Sequence, residues 1–422
     1  MKIKILFTSL LLVIAISLVG CSNNSEDGDG ITLTMMNNWS IQSPEFDIYQ
    51  ERIEQFEKEN PDIKIKQDKV PAADYMTKLR TLATGGNLPD LAVVWPEVDL
   101  HPLVEGGVIQ PLEDMSKWED LILEEYLEGY EVDGENYAIP TKVNSMSVIY
   151  YNKEYLQQVG YSEFPKTYSE LLELVSALEE DGITPIGVGN KPKWPLQSSY
   201  LSVIADRITG SDYLADVLNG EKKFTDEEFV SALEVVEELV EKNAFNEDIN
   251  SIDAVQIEDN FLQGKSAMIM TSASSNARLR LDNENGDNVG IALFPEIENG
   301  KGNTLASPTA IQYGVAMNSD LDGEKKEAAT KFLEFFFSED LYVSLAEIGV
   351  PIPAEVDIDE DVDSKIVELL ELTSQGISPV YDSVVSPELK TTLEDGLQAI
   401  TTGQKSAEDV SKEMQEIVEN QQ

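Results

Sequence analysis

Three of the four tryptophans stand where a chain tends to present ligand contacts: Trp39 and Trp95 just past strand-like runs, Trp194 in a polar loop. Planar amides and carboxylates lie beside them: Asn37 and Asn38 before Trp39, Glu97 and Asp99 after Trp95, Asn190 before Trp194. A flat aromatic ring covers an apolar C–H face, and an amide or carboxylate pairs with hydroxyls around its rim. Such a set could hold a ligand that offers both an apolar face and hydroxyls. Trp118, in an acidic helical stretch, reads as packing.

Other chemistries find weaker support. A lipid-anchored carbohydrate-active enzyme with two working carboxylates is the alternative, yet among 79 acidic residues pairs arise by chance. The sole histidine, His101, precedes Pro102 and has no nucleophile set around it. Cys21 is the only cysteine, so neither disulfides nor a zinc site are expected, and no cofactor is implied. Asp357, Asp359, Asp361, Asp363 and Glu368 have the spacing of a calcium loop. Val362 stands where that loop needs glycine, so an acidic loop leading into a helix is the expectation.

These residues need elements to position them. At about 100–200 residues per domain, 422 residues predict two to three domains, and 41% apolar residues supply ample core. Ile31 to Met36 alternates as a strand, a helix follows from about Pro44 to Glu59, and Ile63 to Gln67 alternates again. Tyr75 to Ala83 is helical, and Asp90 to Trp95 is the near-continuous apolar strand of a sheet buried on both faces. Strand, helix, strand, helix, strand makes a doubly wound α/β lobe, whose ligands sit off the carboxyl ends of the strands. Asn37 to Trp39 and Trp95 to Asp99 occupy that position.

The stretch Asp133 to Asn152 (DGENYAIPTKVNSMSVIYYN) is organising. Asp133-Gly134 is a hairpin turn, Pro140 ends a strand, Val148 to Tyr151 is a new strand, and Asn152 caps a helix. It reads as a crossing between structural units beside a cleft, and Asn144 stands on the crossing. Further strands are expected at Pro185 to Gly189, Ala267 to Met270, Val289 to Phe294 and Tyr313 to Met317. Helices are expected near 167–180, 196–208, 226–243, 253–263, 323–337 and 338–348, with three more after about Asp363. No repeat or low-complexity linker divides the chain, so it passes back and forth between units.

The N-terminus has its own logic. Lys2 and Lys4 precede a short apolar run, Ile5 to Val19, as in a secretory signal of residues 1–20. Leu18-Val-Gly-Cys21 resembles a bacterial lipoprotein box, which implies lipidation of Cys21 and a membrane anchor on the outer face of the cytoplasmic membrane. Residues 21–30 are then a polar tether. A formal net charge of −49 repels nucleic acid and anionic lipid, and its spread along the chain suggests a solvated acidic surface.

A set of stretches in fixed order carries a family resemblance: Phe56 to Asp62 (FEKENPD), Leu82 to Asp90 (LATGGNLPD), Tyr137 to Pro140 (YAIP) and Ile149 to Lys153 (IYYNK). Phe164 to Leu171 (FPKTYSEL), Lys193 to Leu196 (KWPL), Phe261 to Met268 (FLQGKSAM) and Gly349 to Pro353 (GVPIP) complete it. The chain resembles the extracellular solute-binding proteins of ABC importers, in the sugar-binding family that includes maltose-binding protein. The resemblance implies a two-lobed periplasmic-binding-protein-like α/β fold, each lobe a sheet flanked by helices, with a sugar or oligosaccharide between them. It implies lobes of 31–145 plus 311–350 and 149–308 plus 354–422, with crossings near Asn144 to Ser147, Ser307 to Ala310 and Gly349 to Pro353. It also implies a non-enzymatic monomer that hands its solute to an ABC permease.

By that pattern Trp39, Trp95 and Trp194 border the cleft, Asn37, Asn38, Glu97 and Asn144 are polar partners, and Tyr381 with Asp382 belongs to a loop supplying an aromatic lid. Two departures matter. Thr271 to Ser274 replaces a glycine and tryptophan common in relatives, leaving Ser272 or Ser274 to hydrogen-bond. Ser307-Pro-Thr-Ala310 replaces paired glycines at the second crossing.

Overall fold

The computed structural model describes residues 30–41, 43, 45–279, 286–358 and 362–421. Its first sheet runs, in spatial order, Ile63–Lys69, Ile31–Asn37, Leu91–Val94, Gly314–Asn318 and Ile109–Gln110, with Ala138–Pro140 also paired to Gly314–Asn318. Ile31–Asn37 pairs in parallel with both neighbours, Ile31 opposite Ile63 and Met35 opposite Leu91. Leu91–Val94 is wholly buried, as its unbroken apolar sequence requires of a strand covered on both faces. Helix Phe46–Glu59 turns Tyr49, Arg52, Ile53 and Phe56 inward at helical spacing. Helix Gly323–Phe336 does the same with Ala328, Ala329, Phe332, Leu333 and Phe336. Phe56 meets Phe332 edge-on with ring centres 5.1 Å apart.

The second sheet has the order Ile186–Gly187, Met268–Thr271, Val148–Asn152, Val289–Leu293. The first pair is parallel and the other two are antiparallel. Around it lie helices Tyr168–Glu180, Ser202–Thr209, Glu227–Glu241, Pro387–Thr401 and Ala407–Gln421, whose apolar faces form a second core. Asn152 caps the next helix as its sequence position predicts, its side chain accepting from the N–H groups of Glu154 and Tyr155. The hairpin also forms: Glu131–Val132 pairs with Glu135–Asn136, and Asp133 and Gly134 both have positive φ (55° and 83°).

Core membership switches along the chain. Leu33 to Val143 and Tyr313 to Ala354 belong to one core, and Val148 to Phe294 with Leu369 to Val418 to the pair of cores on either face of the second sheet. The chain therefore passes between cores three times, the arrangement expected of a two-lobed α/β protein and not of two successive domains. Two of these passages pair as antiparallel strands, Val143–Ser145 with Ser307–Ile311, Asn144 opposite Ala310. The buried hydroxyl of Ser145 donates to that of Ser307 between them. The third passage lies alongside: the Val143 N–H donates to the Pro351 carbonyl at 3.1 Å. Ala354 still packs in the first core, so the chain leaves that core beyond Pro353.

Candidate functional site

The crossing strands place one wall of the site and the carboxyl ends of the first sheet place the next. Tyr75 donates its hydroxyl to the carbonyls of Met36 (3.0 Å) and Val93 (2.8 Å), tying two strand ends together. Trp95 sits half-buried above this tie. Its ring meets Tyr75 and Tyr313 edge-on at 5.5 and 5.8 Å between centres, so neighbouring aromatics fix its orientation while part of it stays open. Tyr313 is itself braced by a partly buried ion pair, Lys142 to Glu45, with the Lys142 ammonium 5.7 Å from the Tyr313 ring centre. Lys142 immediately precedes the first crossing strand, so the aromatic platform and the crossing share a support.

Glu97 follows Trp95 on a short turn of 3-10 helix, Glu97–Asp99. Its φ of 51° is a left-handed conformation that costs a non-glycine residue about 1 kcal/mol or more. The Glu97 N–H donates to the Gly129 carbonyl at 3.1 Å, which holds the backbone there. Burial raises the Glu97 carboxyl above the ordinary glutamate value, with His101 opposing. No described residue forms an ion pair with it, whereas neighbouring Asp99 pairs with Arg80 at 2.9 Å. This turn packs beside Tyr381–Val384, a segment joined to the second core, so Glu97 and Asp382 come from different lobes onto one interface. Asp382 pairs with Lys390 at 3.2 Å. Glu394, near the same lysine, is also raised, first by burial and then by Asp382 and Asp395.

Asn144 reaches across the crossing: its side-chain oxygen accepts from the Ser274 N–H at 3.4 Å. Ser272 and Ser274 share a hydroxyl–hydroxyl bond of 2.9 Å on the same turn. Trp194 is half-buried and begins the helix into which Pro195 and Leu196 lead, after Lys193, whose φ is 72° and whose ammonium pairs with Asp395.

Several residues chosen from sequence lie elsewhere. Trp39 is 5% exposed and stacks on Phe336 at 5.6 Å with planes 2° apart, so its ring fills the first core and is no cleft platform. Asn37 is fully buried, donating to Gln67 at 3.1 Å and accepting from the Trp39 N–H at 3.3 Å, which fixes the turn after its strand. Between them Asn38 is half-buried, and its side-chain oxygen takes no hydrogen bond from the described residues. Tyr381 is 2% exposed and stacks on Phe229 inside the second core instead of standing open as a lid, while its N–H donates to Ser202 Oγ at 3.1 Å. Asn190 is spent on Asn250 and the Leu196 N–H. Trp118 packs as expected, with its indole N–H on the Phe337 carbonyl at 3.0 Å. Sequence reading passed over Tyr313, Tyr75 and the Lys142–Glu45 pair; the one available signal was that Lys142 and Tyr313 both border crossings.

Of the calcium-loop residues, Asp359 and Asp361 lie outside the described residues. Asp363 caps the helix Ser364–Thr373 through the Lys365 N–H, and Glu368 pairs with Lys365. Cys21 also lies outside the described residues.

Comparison with known proteins fits this geometry. The profile of the bacterial extracellular solute-binding protein family matches residues 51–366. An uncharacterised ABC transporter extracellular-binding protein of Pyrococcus horikoshii is 26% identical over 212 residues, 48% of this chain and 47% of the relative. The multiple sugar-binding protein of Streptococcus mutans is 28% identical over 202 residues, 47% of this chain and 46% of the relative. The chain thus spans about half the length of these two curated relatives. A protein solved in work on xylan utilization by Caldanaerobius polysaccharolyticus superposes with a TM-score of 0.79 at 25% identity, covering 92% of this chain and 100% of that one. With a profile match over most of its length and two α/β lobes around a shared crossing sheet, the chain belongs to the bacterial extracellular solute-binding protein family.

Proposed function

We propose that this protein captures a sugar or oligosaccharide between its lobes and delivers it to the permease of an ABC importer. The observation that carries the reading is the interface itself. The braced, half-open Trp95 leads into Glu97, which forms no ion pair among the described residues; the Glu97–Asp99 turn packs beside the Asp382 segment of the other lobe, and Asn144 stands on a crossing strand. An aromatic face with carboxylate and amide acceptors beside it suits a pyranose ring and its hydroxyls. A relative named as a multiple sugar-binding protein supports the sugar. Cys21 is the proposed lipid attachment, holding a monomer outside the cytoplasmic membrane, and no chemical step is assigned to the site.

Tryptophan emission titrated with a panel of mono- to hexasaccharides tests this. The expected outcome is saturable quenching or blue-shift by at least one saccharide. Trp95→Ala should weaken that saccharide about tenfold, as one lost stacked aromatic does. A response confined to amino acids or peptides would overturn the sugar assignment.

A further inference from the structure

The turn Ser272–Asn276 touches the first crossing and the segment that leads to the third. Ser274 donates its N–H to Asn144 Oδ1 on the first crossing. Two residues later, Asn276 donates its side-chain N–H to the carbonyl of Gly349, at the start of the segment that leads to the third crossing. Asn276 is 2% exposed, so this is a buried bond and not a surface contact. Gly349 is fitted to it: its φ is 73°, and a Cβ there would lie 2.3 Å from Asn276 Nδ2.

The two partners belong to different bodies. Gly349 closes the helix Glu339–Glu347, and its neighbours Leu345 and Val350 sit in the first core. Asn276 begins a short helix whose Leu279 packs with Tyr150, Ile269 and Ile291 of the second sheet. The turn is anchored from that side. Tyr150 donates its buried hydroxyl toward the carbonyls of Ser272 (3.3 Å) and Ala273 (3.2 Å). Ser275 donates to the carboxylate of buried Glu258, which Arg278 holds at 3.3 Å. The turn therefore cannot follow the first lobe without breaking from the second.

We propose that Asn276 is a positioning residue that sets the angle between the lobes by pinning the Gly349 carbonyl, with the Ser274–Asn144 bond as the weaker second point of the same clamp. This rests on the solute-binding reading for its consequence, since the lobe angle sets how readily a ligand finds both walls. The clamp itself needs no ligand.

The test is therefore made without one. In the mature chain carrying Cys21→Ser, spin labels at Lys58→Cys on the first lobe and Glu180→Cys on the second, both exposed positions, report the interlobe distance by double electron–electron resonance. Asn276→Ala is expected to shift the balance between the parent distance and other separations about fivefold, the size of one neutral hydrogen bond. Asn276→Asp, of nearly the same shape, should shift it at least as far, because a carboxylate then opposes the Gly349 carbonyl. Asn250→Ala loses bonds to Thr401 and Asn190 that lie wholly inside the second lobe, so it should lower the melting temperature and leave the distance alone. A parent-like distance distribution in folded Asn276→Ala or Asn276→Asp overturns the proposal. Failure of the saccharide titration with a shifted distribution here would remove the sugar reading and leave the clamp standing.

Discussion

Glu97 shows what single residues contribute and why only some were legible. Its carboxyl is raised by burial, so the folded state favours the protonated form. That favourable contribution is complete below the ordinary glutamate pKa and is lost as pH rises through the raised, folded value. Above that value the buried Glu97 carboxylate is held at a cost to stability. Glu97→Gln is expected to raise the melting temperature at pH 7, with the gain vanishing below about pH 4, while saccharide affinity falls. A gain of equal size at both pH values would sink this account. Trp95 and Glu97 follow an apolar strand in an α/β lobe, and the structure places both just past that strand's carboxyl end. Trp39 follows a strand in the same way, yet it turns inward onto Tyr49 and Phe336. Position after a strand places a residue at the sheet's end, but which way its ring points depends on helices far along the chain.

At the scale of elements, local rules carried most of the outcome. Thr167 and Glu170 form a reciprocal capping box at the start of Tyr168–Glu180, in the sequence order such a box needs. Thr167→Ala should cost about 1 kcal/mol of stability, read by denaturant unfolding, without changing saccharide affinity, because this helix end is tied to Glu296 and not to a crossing strand. An affinity loss matching the stability loss would count against that separation. Winding that answers to tertiary partners was not legible. The region expected as one helix over 196–208 begins instead with π-helical turns, Leu196–Leu201, and continues as Ser202–Thr209. Ser147 Oγ, beside the first crossing, donates to the carbonyl of Ser199 within the π-helical turns. Similarly, the tail expected in three helices has four, because Tyr381–Val384 is a single short turn that no periodicity can reveal.

The whole molecule is governed by its charge. The alternation of cores was readable, since strands and helices recur without a linker, but the pairing of Val143–Ser145 with Ser307–Ile311 joins residues too distant for any local pattern. Charge, by contrast, is fully written in composition. With 79 acidic and 30 basic side chains, most carboxylates have no cation to pair with, and the net charge of −49 makes the compact state repel itself. Many of the ion pairs that do form are exposed, such as Lys412–Glu408 and Lys166–Glu163, and contribute little each. Salt weakens both effects, and the surplus decides which loss dominates. Raising ionic strength from about 0.01 M to about 1 M shortens the screening length from about 30 Å to about 3 Å, which suppresses repulsion among spread carboxylates more than it weakens contacts already at bonding distance. The ligand-free protein should therefore melt at progressively higher temperature as sodium chloride is added, most steeply at the low end. A melting temperature that is flat or falls over that range would mean that the exposed pairs outweigh the surplus acids.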